Sequence, residues 1–196
     1  MDVRTTENLN CLVMVAHPDD CIILAGGFIQ RHSKFIDFDI CYLTYSDNDD
    51  RAIELKNFWQ QRNIQTRFLG YIDDYRDMER GISFDQTQAE KHIRQVTQGH
   101  GLVLTHAEDG DYGHVHHKFV HECVAETDVP KVYFSNTEAY NNKIVEKSWY
   151  TLKEIPLHSG VVKDEWSYQT GEYYYNITEA AYDKLYENIN TRKHII

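Results

Sequence analysis

The chain has 196 residues, 41% hydrophobic and 26% charged, which suits a soluble globular fold that buries its core without disulfide help. Its 31 acidic and 20 basic residues give a net charge of −11, which argues against a general binder of nucleic acid or anionic membranes, since both need a basic surface. The longest apolar runs, Leu12–Ala16 and Ile22–Ala25, fall far short of the ~20 residues of a membrane helix, so no membrane span is expected.

In chain order, Asn10–Ala16 reads as a buried strand that ends at His17-Pro18. Asp19 and Asp20 can cap a following helix, which runs from about Asp20 to Arg31 with Ile22, Leu24, Phe28 and Ile29 as its apolar positions. Gly26-Gly27 weakens that helix unless close packing on a sheet needs small residues. Phe38–Tyr45 is a second strand, Ser46–Asp50 a polar loop, and residues 50–62 a helix with Ile53, Leu55, Phe58 and Trp59 at helical spacing. Thr66–Leu69 is a short third strand, 85–98 a polar helix with Ile93 and Val96 inward, and Leu102–Thr105 a fourth strand. His116–Ala125 reads as a helix and Lys131–Phe134 as a fifth strand. The alternation predicts βαβ units in an α/β, Rossmann-like domain: a mostly parallel, doubly wound sheet flanked by helices.

The last third differs. Residues 137–177 are rich in Tyr and Trp and read as extended segments covering one side of the sheet, before a helix over about 178–190. We take 1–196 as a single domain, with its core over about 9–135 and an aromatic-rich C-terminal extension over about 136–196. Most of those aromatics fit a core or a homo-oligomer interface, and some fit a platform for a sugar ring.

Ligand sites in such sheets lie beyond the carboxyl ends of the strands. Two histidine motifs fall there. His17-Pro18-Asp19-Asp20 places an imidazole and two carboxylates on the turn after the first strand. Those groups suit a divalent metal, and the same residues also fit a capped helix with Pro near its start. Five of the 11 histidines fall within 106–121. Among them His114 and His117 stand three apart and face the same way at a helix start, while His116 points elsewhere. His106 can line the pocket, fix a ligand or tie down its loop, and His121 lies too deep to reach a metal. The loop 108–113, with three acids and two glycines, reads equally as a lid or a plain surface loop. The acidic run 47–50 reads as a solvated loop and helix cap in preference to a second metal site.

HPDD after the first strand, with a later HxxH after a strand ending in Thr105-His106, resembles the LmbE-like (PIG-L) N-acetylglucosaminyl deacetylase family. Arg51-Ala52-Ile53-Glu54 resembles its RxxE segment, Leu69-Gly70-Tyr71-Ile72-Asp73 its LGxxD segment, and Tyr112-Gly113-His114 the approach to its second motif. The likeness covers about residues 9–125. It implies that His17, Asp20 and His117 hold zinc, that Asp19 is the general base, that His114 stabilises the oxyanion electrostatically when protonated, and that Arg51 and Asp73 contact the sugar. The implied reaction removes the acetyl group from an N-acetylglucosamine-type conjugate, a small-molecule substrate, in a cytoplasmic protein. Two histidines and one carboxylate would also suit Fe2+.

Two features depart from the family. Cys21 stands where the family usually has Glu, as a small core residue or as a thiolate that joins the metal. The C-terminal third matches no family pattern, which leaves the substrate open. The alternatives are a non-catalytic carbohydrate-binding descendant and a metal-dependent hydrolase of another amide. The four cysteines form no CxxC pair and, with no apolar leader at the N-terminus, are expected to be reduced thiols.

Overall fold

The computed structural model describes residues 8–135, 146–158 and 161–175. In chain order its elements are β1 (Leu9–Val15), α1 (Asp20–His32), β2 (Ile36–Thr44), α2 (Asp50–Gln60), β3 (Gln65–Tyr71), α3 (Asp77–Arg80), α4 (Gln86–Thr97), β4 (Leu102–Thr105), a turn α5 (Gly110–Gly113), α6 (Val115–Ala125), β5 (Lys131–Ser135), β6 (Glu146–His158) and β7 (Val161–Tyr175). Every strand and helix expected over 9–135 is present, with ends displaced by up to two residues. The short turns α3 and α5 carry no periodic apolar pattern and were not expected.

The sheet order is β3-β2-β1-β4-β5-β7-β6. The first five strands are parallel, and the hairpin β6–β7 joins β5 antiparallel. The C-terminal strands therefore extend the sheet edge, and their backbone also runs against α1 and α2 on one face. The helix expected over 178–190 lies outside the described residues.

The period of two in β1 sorts its side chains between two cores. Cys11, Val13 and Val15 pack with α1 and α2 on one face, through Phe28, Ile29, Leu55 and Trp59. Leu12, Met14 and Ala16 pack with α4 and α6 on the other, through Ile93, Val96, Phe119 and Val120. A strand covered on both faces must be apolar throughout, which is why β1 is an unbroken apolar run after Asn10.

From β1 the chain winds outward to β2 and β3, then crosses back to place β4 on the other side of β1. The winding direction reverses between β1 and β4, and the loops leaving their carboxyl ends diverge to open a crevice there. Both histidine motifs leave from those two strands. Among the described residues no helix is long and apolar enough to cross a membrane.

Candidate metal centre

The end of β1 is tied on both sides. The Ala16 carbonyl accepts from the Thr44 backbone N–H (3.0 Å) and hydroxyl (2.9 Å) of β2. Its own N–H donates to His106 Nε2 (2.9 Å), just beyond the end of β4. This clamp fixes where the next residue, His17, leaves the sheet. The turn then closes on itself, because the His17 N–H donates to Asp20 Oδ2 (2.7 Å).

From the other strand, His114 caps α6 by accepting the His116 N–H at its Nδ1 (3.2 Å). His117, one turn on from His114, stacks against it with ring centroids 4.8 Å apart. Three donor atoms meet between the two segments. His17 Nδ1 lies 3.1 Å from His117 Nε2 and 3.3 Å from Asp20 Oδ2, and His117 Nε2 lies 3.2 Å from Asp20 Oδ2. A tetrahedral zinc with ligands at about 2.0–2.1 Å spaces neighbouring donors about 3.3 Å apart, so this triangle fits such an ion. Wider donor groups overlap it: His17 with His114 and His117, Asp20 with His106 and His117, and His17 with Asp73 and His116.

The charge balance of the cluster also fits a cation. Burial alone would lower His17, but Asp20 and Asp73 outweigh it and hold the ring up to about 10. Burial likewise opposes His117, yet Asp20 and Asp111 raise it to about 9. Burial would raise Asp20, but His117 and His17 bring it well below the usual carboxylate range. Two rings that both favour protonation face each other at contact distance, an arrangement that one divalent ion relieves.

His117 is oriented from behind. Its Nδ1 lies 2.8 Å from Asp111 Oδ2, which also takes His106 Nδ1 at 2.6 Å. An ionised carboxylate only accepts, so both rings carry a proton on Nδ1, which makes Nε2 the nitrogen of His117 that can give up its proton and turn a lone pair toward the triangle. Asp111 is buried and sits at φ 66°, a strained backbone for a residue with a side chain. Gly110 precedes it at φ 72°, where an added Cβ would meet the Lys118 side chain at 2.8 Å. His106 thus does two tasks, fixing the Ala16 backbone and sharing the Asp111 carboxylate with His117. His121 donates from Nδ1 to the His106 carbonyl (2.9 Å) and stays away from the donors.

Asp19 stands at the rim, paired with Arg51 at 3.0 Å. Burial and the Asp20 charge push its carboxyl up against the pull of Arg51. Arg51 also reaches the Tyr45 hydroxyl (3.3 Å), which donates to Asp73 (3.4 Å). Asp73 Oδ1 lies 3.4 Å from His17 Nε2, on the side away from the triangle. Arg51 and Asp73, expected to contact a sugar, are thus engaged with Asp19 and His17. Burial and the neighbouring rings of His17, His117 and His116 push His114 down to about 3, which favours the neutral ring. Since its Nδ1 accepts, its proton lies on Nε2.

Cys21 faces the core. Its Sγ lies 2.9 Å from the Tyr42 hydroxyl, which also accepts from Trp59 Nε1 (3.0 Å). Burial pushes the thiol up, and among the described residues the donor groups able to hold a metal do not include Cys21. The sequence reading missed Asp77, Asp111 and the inward turn of His116. Spacing could not choose Asp111 from three acids in one loop. Nothing in the sequence ties Asp77 to His116, 39 positions away.

The family model PIG-L, described as GlcNAc-PI de-N-acetylase, matches residues 12–127. The uncharacterized protein L374 of Acanthamoeba polyphaga mimivirus is 25% identical over 165 residues, covering 78% of this chain and 71% of that protein. A deacetylase from the biosynthesis pathway of teicoplanin shares the fold, with a TM-score of 0.51, 13% identity, and coverage of 74% of this chain and 78% of that one. GalB, the 4-carboxy-2-hydroxymuconate hydratase of Pseudomonas putida KT2440, is similar in fold at a TM-score of 0.52 and 16% identity, over 71% of each chain.

Proposed function

The chain belongs to the PIG-L family of GlcNAc-PI de-N-acetylases, and on that premise we propose that it is a zinc-dependent hydrolase that removes the acetyl group from an N-acetylated amino sugar joined to a carrier. The observation that carries the reading is the donor triangle of His17, Asp20 and His117, whose Asp20 and His17 interact electrostatically with Asp19.

His17 Nδ1, Asp20 Oδ2 and His117 Nε2 would hold the ion and leave its fourth position open, as catalytic zinc sites do. Bound zinc supplies Lewis-acid polarisation of the amide carbonyl and acidifies a water. Asp19 takes the proton from the attacking water and passes it to the leaving amine, and Arg51 fixes the direction of its carboxylate. A carboxyl held above its ordinary value is better matched to that double task than a fully solvated one. His114 donates Nε2–H to the developing oxyanion as a neutral ring, so its contribution is a fixed dipole and not a charge. Tyr112 is 64% exposed, with its ring 5.1 Å from His117, and offers a face on which a sugar ring can pack. The four cysteines are all free and buried, which supports a reducing, cytoplasmic setting.

Acetate release from a panel of N-acetylglucosamine conjugates tests the reading, with zinc-loaded and chelator-stripped protein in parallel. The expected result is release that needs the metal and is lost in Asp19→Asn while zinc stays bound. Metal-loaded protein that binds amino sugars and releases no acetate would favour a binding protein. Release of a different acyl group would favour a hydrolase of another amide. The hydratase on the same fold is the reason for a broad panel, since one fold hosts several chemistries.

A further inference from the structure

The second nitrogen of His117 faces one buried carboxylate, whereas that of His17 faces a rim carboxylate, Asp73, and at shorter distance a second imidazole. His17 Nε2 lies 3.0 Å from His116 Nδ1. His116 is fully buried, and its Nε2 lies 2.8 Å from Asp77 Oδ2. Asp77 is itself buried, and the same oxygen accepts the Ser83 N–H and hydroxyl, each at 3.2 Å.

The proton positions follow from the partners. Ionised Asp77 only accepts, so His116 carries its proton on Nε2. That leaves His116 Nδ1 as an acceptor for His17 Nε2–H. With Nε2 keeping its proton, the nitrogen of His17 left to give up a proton and ligate is Nδ1, the atom in the donor triangle. Two hydrogen bonds in series therefore set the tautomer and ring plane of a ligand from a carboxylate 60 residues away in sequence.

We propose that Asp77 and His116 are positioning residues for the metal centre: through His17 Nε2–H they hold His17 Nδ1 ready to ligate, as Asp111 does directly for His117. This rests on the metal-dependent reading above. Metal-ligating histidines generally donate their other N–H to a carboxylate or carbonyl, and here a second imidazole spans the gap. The position of His116 on α6 supports this. It lies between His114 and His117 in sequence but turns to the side where Phe84 packs, with ring centroids 5.4 Å apart, so it reaches His17 from behind. Asp73 Oδ1, 3.4 Å from the same nitrogen, is a rival acceptor, but it is farther than His116 Nδ1 and its side chain is 28% exposed. His17 Nε2, His116 Nδ1 and Asp73 Oδ1 also form a group that could take a second ion, which would need His17 stripped of both ring protons.

The test compares wild type, His116→Ala and His116→Asn, whose amide oxygen can stand near the place of Nδ1. The readouts are zinc affinity by competition with a chromophoric chelator, zinc per chain, the 15N ring shifts of His17, and the melting temperature of the metal-free protein. We expect about one zinc per wild-type chain, affinity about 10–100-fold weaker in His116→Ala, and most of that loss restored in His116→Asn. The zinc-loaded wild type should show the His17 proton on Nε2. Unchanged affinity and tautomer in a folded His116→Ala would overturn the proposal. So would two zinc ions per wild-type chain with one lost in the variant, since His116 would then be a ligand. If His116→Ala does not fold, a His17 proton on Nδ1 in the zinc-loaded wild type overturns it as well. Wild type that binds no zinc defeats the metal reading itself, a result distinct from failure in the variants alone.

Discussion

The turn after β1 delivers His17, Asp19 and Asp20 within four residues, whereas the segment after β4 runs from His106 to His117 to deliver one donor of the triangle. The short segment is placed by backbone. Ala16 is bonded to β2 on one side and to His106 on the other, and the His17 N–H closes the turn onto Asp20. The long segment is placed by one side chain. Asp111, held at φ 66°, takes the Nδ1 of both His106 and His117. One half of the centre thus inherits its geometry from strand register, and the other depends on a strained, buried carboxylate. Damage to the two halves should therefore differ in kind.

Removing a donor from the compact half should have the largest effect. Asp20→Ala deletes a ligand and the acceptor of the His17 N–H, and should abolish both stoichiometric zinc binding and turnover, read by metal analysis of the dialysed protein. Asp19→Asn in the same turn should keep zinc and lower kcat by about 10²–10⁴, the usual contribution of a general base. Loss of zinc in that variant would show that the turn acts as one unit, and would erase the separation between ligand and base.

Acid should strain both halves together. His17 is raised to about 10 and His117 to about 9 in the metal-free protein, so at neutral pH a metal must displace their protons. Apparent zinc affinity should rise with pH by about tenfold per unit for each proton released, and level off above the range of those two rings. A flat profile between pH 6 and 8 would mean that neither ring binds through the nitrogens in the triangle.

Asp111→Asn tests the long half alone. It keeps the shape but weakens the acceptor shared by two rings, and should cost about 10–100-fold in zinc affinity with little change in the turn after β1. Cys21→Ala should have the smallest effect: unchanged zinc affinity and a loss of stability of about 1 kcal/mol from its truncated contact with Tyr42, measured by denaturant unfolding. A marked change in zinc affinity there would return Cys21 to the site.

Much of this arrangement was legible as sequence. The unbroken apolar run before His17 required a strand covered on both faces, and the later spacing of strands and helices required a parallel sheet. HPDD and HxxH were readable because ligands that share a turn, or lie one helical turn apart, are close in sequence as well as in space. The aromatic C-terminal region was readable as extended chain, but its placement along the edge at β5 depends on pairing partners that no local pattern names.

The sequence by itself determined the alternation of elements, the burial of β1 and the position of the two histidine motifs beyond the strand ends, while the choice of donors within those motifs came from the family resemblance. Only the tertiary structure decided which groups orient those donors. Asp77 reaches His17 through His116, Asp111 is selected from three neighbouring acids, and Cys21 is turned toward Tyr42. A ligand motif is local because a turn or helix repeats at a fixed period. Its orienting partners are set by the crossover that brings β4 beside β1 and the β3–α4 connection over α6, so their distances depend on packing and not on spacing along the chain.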